Sequence, residues 1–147
     1  MHDLDDLSSA SSNYRVCAFD FGSKNIGVAV GQSLLRTAEP IAVIQAKDGR
    51  PSWDEIGHLL EQWQPDFLLV GLPLNMDCSE SEMSTRARKF AKRLHGRYGL
   101  KVELFDERLS SFEVKSIRHE RQDHRRQSQT VDAEAAQLIL ESWFNHE

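Results

Sequence analysis

Carboxylates standing where solubility does not require them are the first chemical feature of this chain. Asp20 interrupts the apolar run Cys17-Ala18-Phe19-Asp20-Phe21. Asp106 and Glu107 follow an alternating stretch, Lys101 to Phe105, and Asp132 opens a helical pattern whose spacing to Ala136, Ile139 and Trp143 turns it toward a core. A carboxylate inside a short buried strand is costly unless something answers its charge. Each acid also has a plainer explanation. Lys24 could neutralise Asp20, or the Asp20 side chain could cap the following turn. Asp106 could pair with Arg108, Glu107 could be exposed, and Asp132 could complement the dipole of a helix N-terminus. Taken together, Asp20, Glu107 or Asp106, and Asp132 supply only hard oxygen ligands, with no clustered Cys or His. That donor set selects Mg²⁺ or Mn²⁺ over zinc. Two such ions roughly 4 Å apart activate water and stabilise the leaving oxygen in phosphodiester hydrolysis.

The elements that must position these acids are legible in order. Asp20 lies in the first strand of a hairpin whose second run is Ile26 to Val30, with Gly22 and Gly27 read as the points where the backbone turns and bends. A third extended segment covers about Thr37 to Gln45, and Pro40 places it at a sheet edge or strand start. Asp48-Gly49-Arg50-Pro51-Ser52 is a turn. Ser52 caps a helix over about Trp53 to Trp63, stopped by Pro65-Asp66. Phe67 to Leu72 is a continuous apolar run, as expected of a strand covered on both faces. A long helix runs from about Ser81 to Tyr98, with Arg86, Lys89, Arg93 and Arg97 in a stripe beside its apolar face. After the strand that leads into Asp106, a helix capped by Ser110 or Ser111 reaches about Arg118. A basic loop from His119 to Gln129, containing Arg125 and Arg126, then leads to a last helix from about Val131, capped by Thr130, to Phe144. Adjacent strands followed by helix-linked strands imply a mixed sheet with helices packed on it.

With 147 residues, of which 39% are hydrophobic and 28% charged, the chain fits one soluble domain, residues 14–147, behind a disordered acidic tail, residues 1–13. No apolar run approaches the roughly 20 residues that span a bilayer. No secretory signal is expected, and the two cysteines, Cys17 and Cys78, read as reduced thiols of a cytoplasmic protein. A net charge of −5 argues against wholesale coating of nucleic acid but leaves room for a local basic face.

Four segments resemble the signatures of the YqgF family, in family order and with compatible spacing. They are Asp20-Phe21-Gly22-Ser23-Lys24-Asn25-Ile26-Gly27-Val28-Ala29, Val70-Gly71-Leu72-Pro73, Asp106-Glu107-Arg108-Leu109-Ser110 and Asp132-Ala133-Glu134-Ala135-Ala136. The resemblance runs from about Cys17 to Phe144. It implies an α/β, RNase H-like fold: a five-stranded mixed β-sheet flanked by α-helices. It also implies a metal-dependent nuclease, with Asp20, Glu107 and Asp132 catalytic and Asp106 beside them as a further ligand of Mg²⁺ or Mn²⁺. Lys24, Arg86, Arg108, Arg125 and Arg126 are the expected nucleic-acid contacts. One departure stands out, Cys78 where similar sequences commonly carry Gly; and the family's likeness to classical junction resolvases, which carry an acid at the end of the fourth strand, stops at Gly71-Leu72-Pro73 here.

The expected activity is processing of precursor 16S rRNA during maturation of the small ribosomal subunit, by a monomer or homodimer that has no membrane partner. One rival is a Holliday junction resolvase acting on branched DNA, with the same chemistry. Another is a non-catalytic nucleic-acid-binding module whose basic stripe and loop are the function. An actin-like ATPase needs two such halves and a longer chain, and a dinucleotide site needs a Gly-x-Gly-x-x-Gly turn that is absent here.

Overall fold

The computed structural model describes residues 13–75, 77, 79–109 and 128–146. Its elements in chain order are β1 (Arg15–Asp20), β2 (Asn25–Gln32), β3 (Thr37–Lys47), β4 (Arg50–Pro51), α1 (Trp53–Trp63), β5 (Phe67–Leu72), α2 (Glu82–Tyr98), β6 (Val102–Asp106), a 3₁₀ turn (Glu107–Leu109) and α3 (Ser128–His146). Among the described residues the strands form one sheet in the order β4-β3-β2-β1-β5-β6. The β1–β2, β2–β3 and β3–β4 pairs are antiparallel, and β1–β5 and β5–β6 are parallel.

The sheet therefore has six strands where five were expected. The extra one is β4, only two residues long. Asp48 and Gly49 adopt positive φ, 53° and 81°, as a two-residue hairpin turn demands. The turn pairs Lys47 with Arg50 and Ala46 with Pro51, and then Ser52 starts α1 and ends the strand. The Ser52 hydroxyl accepts from Glu55 N at 3.4 Å. Ser81 caps α2 through a capping box with Ser84, and Gly99, φ 72°, closes that helix. The register of β2 against β3 slips at Val28/Ala29, so Ile41 bulges out beside Pro40.

Side-chain alternation divides the core in two. Cys17 and Phe19 of β1, Ile26, Val28 and Val30 of β2, and Leu68 and Val70 of β5 pack against Ile56 and Leu60 of α1 and Ala87, Phe90 and Leu94 of α2. Val16, Ala18, Leu69 and Phe105 face the other way and pack against Ile139, Leu140 and Phe144 of α3. Each fully buried Val, Leu, Ile or Phe contributes about 1.5–3 kcal/mol. Helices thus cover both faces, as the apolar run of β5 requires. The helix expected near Ser110 to Arg118, the loop residues Arg125 and Arg126, the tail at residues 1–12 and Cys78 lie outside the described residues.

Candidate active site

Asp20 is the last residue of β1. Following Val16 and Ala18 in the two-residue alternation, its side chain belongs to the face covered by α3. The antiparallel register sets Asp20 directly opposite Gly27 of β2, and directly opposed residues project from the same face. Gly27 is not part of the turn, as the sequence suggested. It lies inside β2, where a methyl group would stand 1.9 Å from the carbonyl oxygen of Asp132 and 2.9 Å from the Ala133 nitrogen. No side chain fits there. The bare backbone at Gly27 lets the N-terminal part of α3 descend onto the sheet beside Asp20.

A similar clearance exists on the other neighbour of β1. Phe19 is paired with Val70 in the parallel register, so Gly71 follows alongside Asp20. A methyl group at Gly71 would stand 2.5 Å from Glu107 Oε2 and 2.6 Å from Ile139 Cδ1. Glu107, in the 3₁₀ turn just past β6, thus carries its carboxylate over β5. Gly71, next to last in β5, leaves room for an acid that follows the neighbouring strand. The Asp132 backbone thus lies over Gly27 on one side of Asp20, and the Glu107 carboxylate lies over Gly71 on the other. Among the described residues, no three His, Cys, Asp or Glu side chains are gathered closely enough to hold a metal ion.

The electrostatics separate the acids. Asp106 is held by Arg108: the Arg108 main-chain nitrogen donates to Oδ1 at 3.0 Å, Nε donates to both carboxylate oxygens at 3.0 Å, and Nη2 lies 2.5 Å from Oδ2. These hydrogen bonds hold the Asp106 carboxyl below its ordinary pKa. Asp106 therefore has the structural partner its sequence neighbourhood suggested. Asp132 behaves oppositely, its carboxyl being pushed above its ordinary pKa by burial. The helix-dipole explanation also loses its geometry. α3 begins at Ser128 rather than Val131, so Asp132 is beyond the first turn, which holds no acid.

The expected cations are dispersed. Lys24 is exposed in the β1–β2 loop, whose carbonyls at Ser23 and Lys24 accept from Gly49 N and Ala46 N, each at 2.8 Å. Arg108 stands beside Asp106. Arg86 lies on the opposite side of the sheet, where its Nη2 donates to the main-chain oxygen and Oδ1 of Asp48, both at 3.2 Å. The loop after β5 is knit at its base: Ser81 Oγ donates to Pro73 O at 2.9 Å, and Ser79 Oγ donates to Asp77 Oδ1 at 2.6 Å. The two glycines are what sequence reasoning missed. Their signal was a lone Gly within a strand pattern, which marks close approach by another part of the chain.

This arrangement defines an RNase H-like fold of the RuvC type. The structure of Thermus thermophilus RuvC in complex with a Holliday junction substrate superposes with a TM-score of 0.52, covering 90% of this chain and 94% of that one at 16% identity. A family model described as RuvX, Holliday junction resolvase, matches residues 14–146. The chain belongs to this RuvX/YqgF family. Relatives named "Putative pre-16S rRNA nuclease" include one from Photobacterium profundum, 52% identical over 139 residues, covering 93% of this chain and 98% of the relative. Another, from Marinobacter nauticus, is 54% identical over 134 residues, covering 89% of this chain and 92% of the relative.

Proposed function

We propose that the chain is a metal-dependent phosphodiesterase that trims precursor 16S rRNA in the cytoplasm, with Asp20, Glu107 and Asp132 as its catalytic carboxylates. The observation that carries this reading is the pair of glycine clearances on either side of Asp20. Gly27 admits the Asp132 backbone and Gly71 the Glu107 carboxylate, so elements distant in sequence approach on both sides of Asp20. The donor set is oxygen only and suits Mg²⁺ or Mn²⁺. Asp20, Glu107 and Asp132 would hold the ion, and Asp106 would orient Arg108 rather than coordinate. When bound, the ion supplies an activated water and charge stabilisation at the leaving oxygen.

The protein's own residues do the rest. Burial of Asp132 raises the free energy of its charged form and so favours a cation arriving there. Arg108, fixed by Asp106, and Lys24, at the exposed loop after β1, stand at the same end of the sheet to meet phosphate oxygens. Arg125 and Arg126, outside the described residues, are further candidate phosphate contacts by charge alone. The non-catalytic rival gives no reason to bury an acid where phosphates dock.

The family description favours a second reading, cleavage of four-way DNA junctions. One assay separates the two. The protein and its Asp20→Asn form are offered a precursor 16S fragment and a four-way junction, with Mg²⁺, Mn²⁺ or a chelator. Metal-dependent RNA cleavage, lost in the variant, with the junction intact, is the expected result. Preferential cutting of the junction installs the second reading. Binding without cleavage of either substrate leaves the binding module.

A further inference from the structure

We propose that the opposite face of the sheet carries a second nucleic-acid subsite: a cleft lined by Arg50, Arg86, Lys89 and Arg93 holds the phosphate backbone that flanks the bond to be cut. The proposal rests on the nuclease reading above and extends it to how the substrate is held. The cleft encloses about 200 Å³ between the β3–β4 turn and α2. Among the described residues four cations line it, with Asp48 as the only acid, on a chain whose net charge is −5. Like charges crowded together disfavour the compact state, so solubility alone does not explain them.

The cations differ from others on the same helix. Arg88 is answered by Glu80 at 2.8 Å. Arg86 is half-buried and pinned to Asp48 at the turn, which fixes the cleft wall. Arg50, Lys89 and Arg93 are exposed, and none of them has an ion-pair partner among the described residues. Arg86, Lys89 and Arg93 recur at helical spacing on one side of α2. They extend about 10 Å along the axis, at ~1.5 Å per residue. Charges strung out over that length match successive phosphates of a polymer, whereas a single small anion would need them convergent. The floor is aromatic: Phe21 and Trp53 lie 5.1 and 5.8 Å from Phe90, ring centre to ring centre. An apolar floor under charges of one sign focuses their field.

Continuity with the acidic site comes from β1. Phe21 follows Asp20 directly, yet its ring packs with α2 on the other face. The acidic site and the basic cleft therefore lie on either side of the same peptide, at the β1–β2 loop. A strand whose reacting phosphate sits at Asp20 passes over that loop into the cleft.

The test compares Lys89→Glu, in the cleft, with Lys92→Glu, on another side of α2 facing β6. Both change the net charge equally at exposed positions. Binding of the full-length protein to a short single-stranded RNA, and to DNA of the same sequence, is measured in chelator across a salt series, with circular dichroism as the fold check. Lys89→Glu is expected to weaken binding about fivefold or more and to flatten the salt slope by roughly 0.7 or more, the single-strand value per phosphate contact. Lys92→Glu is expected to stay within about twofold. A response with RNA alone, DNA alone or both supports the cleft and says which backbone it takes. Equal weakening by both variants, no weakening by Lys89→Glu, or no binding by the parent protein overturns it. The nuclease reading fails separately. In that case neither substrate is cut with Mg²⁺ or Mn²⁺, although Lys89→Glu still weakens binding. If only the cleft fails, cleavage proceeds and KM is unmoved by Lys89→Glu.

Discussion

On the face covered by α1 and α2, β1 and β2 contribute Cys17, Phe19, Ile26, Val28 and Val30. On the face covered by α3, the same two strands contribute Val16, Ala18, Gly27, Ala29 and Gly31. The first set fills space with volume. Phe19 meets Phe90 edge-on, with ring centres 5.7 Å apart, and the rings of Phe21 and Trp53 extend the cluster. The second set gives volume up. Gly31 lies under Phe144 and Leu140, where a methyl group would come within 3.0 and 3.1 Å, and Gly27 lies under the Asp132 backbone. One face secures the fold by burying apolar area. The other brings a helix down far enough to deliver a carboxylate. Bulk therefore fills one side of these two strands and clearance the other, and substitutions on the two sides should separate stability from the proposed chemistry.

The largest separation is expected at the acids. Glu107→Gln should lower turnover about a thousandfold while leaving the melting temperature within a few degrees. Asp106→Asn should lower it far less, and comparable losses in a steady-state cleavage assay would return Asp106 to the ligand set. Leu94→Ala, fully buried under the other face, should cost about 2–5 kcal/mol in denaturant unfolding. Its activity per folded molecule should be unchanged; a matching loss of kcat would show that the faces are not independent. Gly27→Ala should do both kinds of damage, since its methyl group meets backbone that cannot rotate away. We expect about 1–3 kcal/mol of destabilisation together with lost cleavage at temperatures where the variant is still folded.

The smallest expected effect is also the most specific. Burial raises the Asp132 pKa in the folded state above its ordinary value. A raised carboxyl means that the folded protein binds the proton more tightly than the unfolded chain. Its contribution to stability is thus present below the unfolded pKa and lost as pH rises through the folded one. Asp132→Asn should melt higher than the parent at neutral pH, and the two should converge in acid below both pKa values. A lower melting temperature at neutral pH would instead mark Asp132 as a structural acid serving its helix. Added Mg²⁺ should raise the melting temperature of the parent at neutral pH and not that of the variant.

Most of the scaffold was legible because its punctuation is chemical. Ser52 announces α1, Pro65 follows it, the apolar period marks α2, and the run Phe67 to Leu72 has the composition of a strand covered twice. β4 was not legible as a strand, because its two residues follow Asp48-Gly49 and the helix cap comes at once. The start of α3 was misplaced since Ser128-Gln129-Thr130 carries no apolar period, and that shift alone kept the dipole explanation of Asp132 open. Each acid could be named singly, but the approach of α3 to β2 and of Glu107 to β5 depends on what Gly27 and Gly71 lack. An absent side chain registers in a sequence as flexibility, and only register and packing show it to be clearance. Arg86 illustrates the converse: its helical spacing was visible, while its tie to Asp48 depends on a turn from another part of the chain.

The contact between Gly27 and the backbone of Asp132 joins the second strand to the last helix, across most of the chain. Contacts of such long sequence separation form late in folding, and a nascent chain folds from its N-terminal side as it emerges. A polypeptide still on the ribosome that has not delivered Ser128 to His146 already holds Asp20 and the partners of β1, yet it has no Asp132. If the three carboxylates act together as proposed, a nascent chain lacking α3 lacks one of them, however well its β1 and β2 have formed.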